Sequence, residues 1–274
     1  MSNKTHRTKG PQFELLPGMI DSHFHSAMML KKGLDARSLL ETALDNGLAG
    51  GIDIGIEAGD TAERGWVQDL SPSIKLAAGL YPSEAEHENI ESRLDILKSD
   101  LHQFPIAAVG EIGVDLYWNY GTVERQQELM RRQIELANEH HLPIIIHNRD
   151  ADQEVLEVLK ATQPMYGGIL HCFSYDSEAA LSFLDLRLHI SFAVHITYKN
   201  SEVLRNAAAF VPLERILAET DSPFLSPQKV RGKPNHPGHV GFVYRQLAEI
   251  HQIEIGQLIK IVAQNFSRLF THSE

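Results

Sequence analysis

The chain has 274 residues, 43% of them hydrophobic and 22% charged, which is ample for a substantial core and ordinary for a soluble globular protein. A single cysteine excludes an internal disulfide framework and fits a reducing compartment. No run of the sequence approaches a membrane span, the polar N-terminus lacks a signal-peptide core, and the net charge of −11 argues against a basic surface that coats nucleic acid; a cytoplasmic enzyme is expected.

In chain order, residues 1–18 are polar and broken by Pro and Gly, and they read as a lead-in to the first strand. Apolar, strand-like runs then recur over Met19–Phe24, Gly50–Ile56, Lys75–Leu80, Ala107–Val114, Leu142–His147, Gly167–Phe173, Leu186–Ala193 and Arg215–Glu219. Between them lie segments with apolar residues three and four apart, such as VERQQELMRRQIELANEHH and DADQEVLEVLKATQ. Two more helical stretches, GFVYRQLAEIHQI and EIGQLIKIVAQNFSRLF, close the chain. Eight strands alternating with helices predict an α/β fold, a (β/α)8 TIM barrel over residues 19–274 as one domain. A doubly wound open sheet shows the same alternation, but it has no reason to gather polar residues from its first and last strands. A closed barrel sets those two strands side by side.

Six residues of metal-binding type sit where these runs end. They are His23 and His25 in MIDSHFH, Glu111 in AAVGEIGVD, His147 in LPIIIHNRD, His171 in GGILHCF and Asp221 in RILAETDSP. A buried parallel strand that ends in a polar residue delivers that side chain to the carboxyl edge of the sheet. Four histidines and two carboxylates so placed predict a divalent-metal site. His23 and His25 share strand parity, so both can face the barrel interior; an isolated H-x-H is also compatible with two satisfied core histidines. Glu111 lies in an apolar stretch between Gly110 and Gly113, so it needs a partner or a metal. A bridge between two ions is the favoured reading, with a structural ion pair as the alternative. Asp21 could orient a ligand histidine, and Glu219, in register with Asp221, either reinforces the site or faces a neighbouring layer. Asp115 is expected to shape the loop. Cys172 has the opposite parity to His171 and reads as buried packing.

Arg149 is a candidate phosphate contact, with a surface pair to Asp150 or Asp152 as the alternative. The Pro- and Gly-rich loop after Asp221 carries Lys229, Arg231 and Lys233, either a clamp for an anionic substrate or solvated loop charge. The expected chemistry is hydrolysis by a metal-activated water, with Asp221 as general base and Glu111 as the second catalytic carboxylate. Ser22 and Ser174 neighbour the ligands, but no separate base remains to activate either as a nucleophile.

Taken in order, DSHFH, GEIGVD, IIIHNRD, GILHCFS, ETDSPFL with RGKPNHP, and the closing NFSRLF resemble the TatD family of metal-dependent deoxyribonucleases, from about Met19 to Phe270. The resemblance implies that His23, His25, Glu111 and Asp221 hold one ion and that Glu111, His147 and His171 hold a second. One or two divalent ions per subunit follow, with Mg, Mn or Zn as candidates. It also implies hydrolysis of DNA phosphodiester bonds, usually as a 3′-to-5′ exonuclease on single strands or 3′ ends, with no membrane or stable protein partner. Amidohydrolase relatives of the barrel cleave amides, lactones and esters, including the D-aminoacyl ester of tRNA, which is the alternative. The chain departs from the family at Tyr81, where Gly-Leu-His-Pro is common; Tyr81 can hydrogen-bond to substrate or stack on a base. It departs again at His236, where Asn-Glu-Pro is common, and at Tyr175 and His195, where glycines are common.

Overall fold

The structure, a computed structural model, describes residues 12–270. Residues 1–11 of the expected lead-in and 271–274 at the end of the expected domain lie outside the described residues. Eight strands follow in chain order: β1 (Met19–Phe24), β2 (Leu48–Ile54), β3 (Ile74–Ala78), β4 (Ile106–Asp115), β5 (Ile144–Arg149), β6 (Gly168–Leu170), β7 (Leu188–Phe192) and β8 (Ile216–Ala218). Each pairs in parallel with the next. The first and last strands meet through a parallel bridge between Phe24 and Ser222. Two backbone bonds reinforce that seam: Asp221 N–H donates to His23 O at 3.0 Å, and His25 N–H donates to Ser222 O at 2.8 Å. The result is a nearly closed (β/α)8 barrel, not an open doubly wound sheet.

The strand sequences explain the architecture. Ile144, Ile145 and Ile146 are all fully buried, because one face of a barrel strand fills the interior while the other lies under helices. The helix Val123–Glu139 buries Leu129, Met130, Ile134 and Ala137 at helical spacing, and it starts where the Thr122 side chain accepts the Arg125 N–H. Two helices cover the seam, Val240–Ile250 and Ile255–Phe270. The Tyr244 hydroxyl accepts from Ile20 N–H and donates to Ile20 O, which ties β1 to the first of them. Asn265 donates to Ile216 O and Leu213 O, which ties β8 to the second. The described part of the lead-in docks on the barrel: Glu14 N–H donates to Gly238 O at 2.8 Å.

Four strands, β3, β6, β7 and β8, are shorter than the expected runs. β6 stops at Leu170 and β8 at Ala218, so His171 and Asp221 lie just beyond the ladder. The backbone turns sharply there, with left-handed φ at Cys172 (46°) and Asp221 (55°), a conformation that costs a Cβ-bearing residue energy and clusters at functional sites. Gly113 has a structural duty beside Glu111: its φ is 155°, and a Cβ there would lie 1.8 Å from His147 O. Only glycine lets β4 approach β5 that closely.

Candidate metal centre

The six expected ligands converge at the carboxyl edge of the barrel. His23 and His25 project from the end of β1 with their Nε2 atoms 3.0 Å apart. The His23 ring stacks on that of His171, with centroids 3.9 Å apart. Glu111 reaches into the middle from β4. Its Oε2 lies 3.4 Å from His23 Nε2 and 3.6 Å from His25 Nε2, and its Oε1 lies 2.7 Å from His147 Nδ1 and 2.8 Å from His171 Nε2. Asp221 Oδ1 closes the other side, 3.5 Å from His25 Nε2 and 3.8 Å from His23 Nε2.

These donors fit divalent ions. His23, His25 and Asp221 form one group whose donor atoms lie within 4.8 Å of one another, and His23, Glu111 and His171 form another. Donors held about 2.1 Å from one ion lie roughly 3.4 Å apart in a tetrahedron, close to the 3.4–3.8 Å that separates the β1 histidines from Glu111 and Asp221. The contacts of Glu111 Oε1 with His147 and His171 are shorter, at 2.7 and 2.8 Å, and would open slightly around a cation. The two oxygens of Glu111 each face a different pair of histidines, which is the geometry a bridging carboxylate needs.

The electrostatics agree. Burial pushes the Glu111 carboxyl up, but the His171 charge and hydrogen bonds from His147, His171 and His23 outweigh it and hold the group well below the usual carboxylate range. Burial likewise opposes ionisation of Asp221, and the bond from His25 with the neighbouring imidazoles overcomes it. Burial would keep His171 neutral, yet Glu111 and Glu219 push it well above the usual imidazole range. His25 and His147 are raised against burial too, by Asp221 and Asp115 respectively. His23 is lowered, by burial and then by the His171 charge. Two buried carboxylates stay ionised while three imidazoles are drawn to hold protons. The cluster is short of positive charge, which a divalent cation supplies.

A second layer orients the ligands. The far nitrogens of three imidazoles meet acceptors: His25 Nδ1 lies 3.2 Å from Ile54 O, His147 Nε2 3.0 Å from Asp115 Oδ2, and His171 Nδ1 3.3 Å from Glu219 Oε1. Such contacts fix the tautomer and aim the remaining lone pair at the centre. Glu219 therefore reinforces the site and does not face a neighbouring layer; the same Oε1 accepts the Cys172 N–H at 2.8 Å. Asp115 does more than shape its loop, and its even spacing from Glu111 along β4 is the sequence signal for that. Asp21 touches no imidazole side chain. It accepts from Thr220 N–H and hydroxyl at 2.8 and 2.6 Å, so it fixes the β1–β8 crossing. A further buried pair had no signal in the sequence pattern: Asp53 accepts from Ser26 N–H and hydroxyl, and fully buried Arg64 lies 3.3 Å from its Oδ2. That pair anchors the backbone immediately after His25.

The candidate substrate contacts divide. Tyr81 is at the cluster, its hydroxyl 3.1 Å from Asp115 Oδ2 and 3.2 Å from His147 Nε2. Arg149 does not pair with Asp150 or Asp152; its guanidinium lies 3.8 Å over the Tyr117 ring. In the loop after Asp221 the cations are turned onto aromatic rings: Lys229 Nζ lies 5.7 Å from the Phe242 centroid and Arg231 4.4 Å from that of Tyr198. Lys229 also lines a surface cleft of about 260 Å³ with Thr197, Arg245 and Glu249, none of them a ligand. Lys233 N–H donates to Val230 O, closing a turn within the loop. Cys172 leaves the strand, so strand parity does not govern it; it is half-buried, with Sγ 4.0 Å from His195 Nδ1. Tyr175 bonds Asn148 Oδ1 at 3.0 Å, and His236 packs on Phe13.

The sequence model of the family described as TatD related DNase matches residues 20–271. The chain belongs to the TatD family. Among TatD-like relatives, a Bacillus subtilis protein described as an uncharacterized metal-dependent hydrolase, YabD, is 37% identical over 198 residues, 72% of this chain and 77% of its own length. A Mycobacterium tuberculosis protein described as an uncharacterized metal-dependent hydrolase, TatD, is 31% identical over 261 residues, 92% of this chain and 97% of its own. The crystal structure of the TatD homologue YjjV from Escherichia coli superposes with a TM-score of 0.86 at 29% identity, covering 93% of this chain and 99% of that one. Membership makes the chain a metal-dependent hydrolase. No described helix is long and apolar enough to cross a membrane.

Proposed function

We propose that this TatD-family chain hydrolyses DNA phosphodiester bonds, removing nucleotides from the 3′ end of single strands, with one or two divalent ions (Mg, Mn or Zn) in the six-residue cluster. The observation that carries the reading is the place of Arg149. It lies two residues past His147 on β5, exposed, with its guanidinium over the Tyr117 ring, where its fork suits a phosphate. The family's description as DNases supports the same substrate.

A bound cation would polarise a phosphoryl oxygen and ease ionisation of the attacking water. His23, His25, His147 and His171 would hold it, the last three through lone pairs aimed by Ile54 O, Asp115 and Glu219. Glu111, 3% exposed with both oxygens engaged, binds and does not exchange protons. The Asp221 side chain is 12% exposed and only its Oδ1 faces the histidines, so its Oδ2 is the atom that accepts the proton from the attacking water. Arg149 offsets charge that develops on the phosphate.

The test is a metal-stripped assay on single-stranded DNA labelled at either end, with Mg²⁺, Mn²⁺ or Zn²⁺ restored in turn. Stepwise loss from the 3′ end that requires an ion supports the reading. No cleavage by ion-loaded protein, with turnover on a panel of esters and amides, would overturn it and assign the barrel to acyl chemistry.

A further inference from the structure

The loop after β4 carries the sequence Leu116-Tyr117-Trp118-Asn119-Tyr120. Tyr117 is 57% exposed and Trp118 52%, with Leu116 beside them at 38%. Three consecutive large apolar residues left open to water call for a covering partner, and these are fixed in place. Asp115 Oδ1 accepts the N–H groups of Tyr117 and Trp118 at 2.9 and 3.0 Å, while Oδ2 of the same carboxylate holds His147 Nε2 at 3.0 Å. Leu116 N–H donates to Arg149 O at 2.9 Å. One carboxylate and one strand therefore set the distance from the aromatic pair to the metal centre. The two rings meet edge to face at 4.9 Å and 87°. The Arg149 guanidinium covers the Tyr117 face and lies 5.9 Å from the Trp118 centroid.

We infer that Tyr117, Trp118 and Arg149 form a stacking subsite that takes a nucleobase of a single-stranded substrate beside the metal centre. The inference rests on the nuclease reading above and names how that substrate is held. A guanidinium stacked on a ring keeps its N–H edges free for phosphate oxygens, and the indole offers a π-face to the adjoining base. That alternation of flat face and cation matches a nucleotide; an acyl chain has no use for the cation. A duplex covers the faces of its own bases, so the subsite selects single strands and frayed ends. In a chain with net charge −11, stacking supplies attraction that surface cations do not.

The test compares hydrolysis of a short single strand with that of the same strand carrying abasic residues at its 3′-terminal positions, using ion-loaded protein. Wild type should favour the intact strand in kcat/KM by roughly five- to a hundred-fold, the range that base–aromatic stacking supplies. In Trp118→Ala and in Tyr117→Ala that preference should fall toward unity through a rise in KM for the intact strand, and Trp118→Phe should keep most of it. A second measurement titrates metal-free protein with oligo(dA) and follows tryptophan fluorescence. The chain has two tryptophans; Trp66 lies under Arg37, so quenching that Trp118→Phe abolishes reports the base on Trp118. If wild type degrades DNA and both alanine variants keep the full preference, the subsite is overturned while the nuclease reading stands. If wild type degrades no DNA, the nuclease reading falls and the titration decides: quenching by the oligonucleotide upholds a nucleotide subsite, and its absence overturns it.

Discussion

Replacing Asp115 by Asn tests how the cluster is kept ready for an ion. Asp115 Oδ2 lies 3.0 Å from His147 Nε2, and Oδ1 accepts two loop N–H groups at 2.9 and 3.0 Å. A carboxylate only accepts, so Nε2–H stays bonded to Asp115 when an ion replaces the Nδ1 proton that bonds Glu111 Oε1. In Asp115→Asn the two loop N–H groups claim the amide oxygen, and the amide –NH2 faces His147. Nε2 then becomes the acceptor, and Nδ1–H donates to Glu111 Oε1, 2.7 Å away. An arriving ion must reverse that tautomer, and Nε2–H then lacks the charged acceptor that Asp115 provides in the native chain, a hydrogen bond worth about 1.5–3 kcal/mol. At one decade per 1.4 kcal/mol, metal binding should weaken by roughly 10- to 100-fold. The assay is calorimetric titration of metal-stripped native and variant protein with Mn²⁺ or Zn²⁺, with circular dichroism to confirm an equal fold. Unchanged affinity would refute the tautomer argument.

Asp221→Asn should leave the fold intact and lower single-turnover DNA hydrolysis at saturating ion by roughly 10²- to 10⁴-fold; an unaltered rate would remove Asp221 as proton acceptor. Restoring the working ion to chelated protein at a hundred times its Kd should add about 2.7 kcal/mol of stability, roughly a 5–10 °C rise in Tm by scanning fluorimetry, and no rise with Mg²⁺, Mn²⁺ or Zn²⁺ would contradict a metal centre. Burial lowers His236 to about 3, below its unfolded value, so the unfolded chain takes up the proton first. The stability this neutral His236 contributes is whole above about pH 6.5 and is lost as pH falls toward its folded value. Between pH 7 and 5.5, His236→Asn should therefore lose about 1.3 kcal/mol less than the native chain by urea titration; equal losses would refute it.

The strand order and the convergence of the six candidate ligands were legible because both obey local rules. Buried parallel strands read as apolar runs, and the residue that ends such a run has one place to go. β1 lies where the run Met19–Phe24 predicted it. The runs around His171 and Asp221 overshot: single backbone bonds continue past Leu170 and Ala218, from His171 N–H to Ile146 O and from Glu219 N–H to Phe192 O, but the left-handed turns at Cys172 and Asp221 break the regular ladder. The second layer was legible only in part. Glu219 follows from strand parity, yet the parity of Asp21 pointed it at an imidazole when its bonds go to Thr220 and to the backbone N–H of His23. Arg64 meets Asp53 from eleven residues away through a helix, a contact that three-dimensional packing creates and spacing does not encode.

Charge shows the same divide and yields a decisive experiment. Composition counts Lys229, Arg231 and Lys233 beside Arg149, but only the fold says which of them face the cluster. Lys229 and Arg231 are turned onto Phe242 and Tyr198, while Arg149 is held two residues beyond His147 on β5. If Arg149 is the main phosphate contact, about one phosphate is neutralised per strand, and affinity should fall with a log–log salt slope near −0.7. A clamp that engaged all four cations would give a slope near −2.8 by the same relation. Raising salt from about 50 to 200 mM thus weakens single-strand binding roughly 3-fold in the first case and roughly 50-fold in the second. Fluorescence anisotropy on Asp221→Asn protein, which binds without turnover, reads the slope directly. A steep slope that flattens in Arg231→Ala with Lys233→Ala would show the loop swinging onto the substrate, against the seating seen here; a shallow slope lost with Arg149→Ala would leave phosphate recognition to one arginine and the ion beside it.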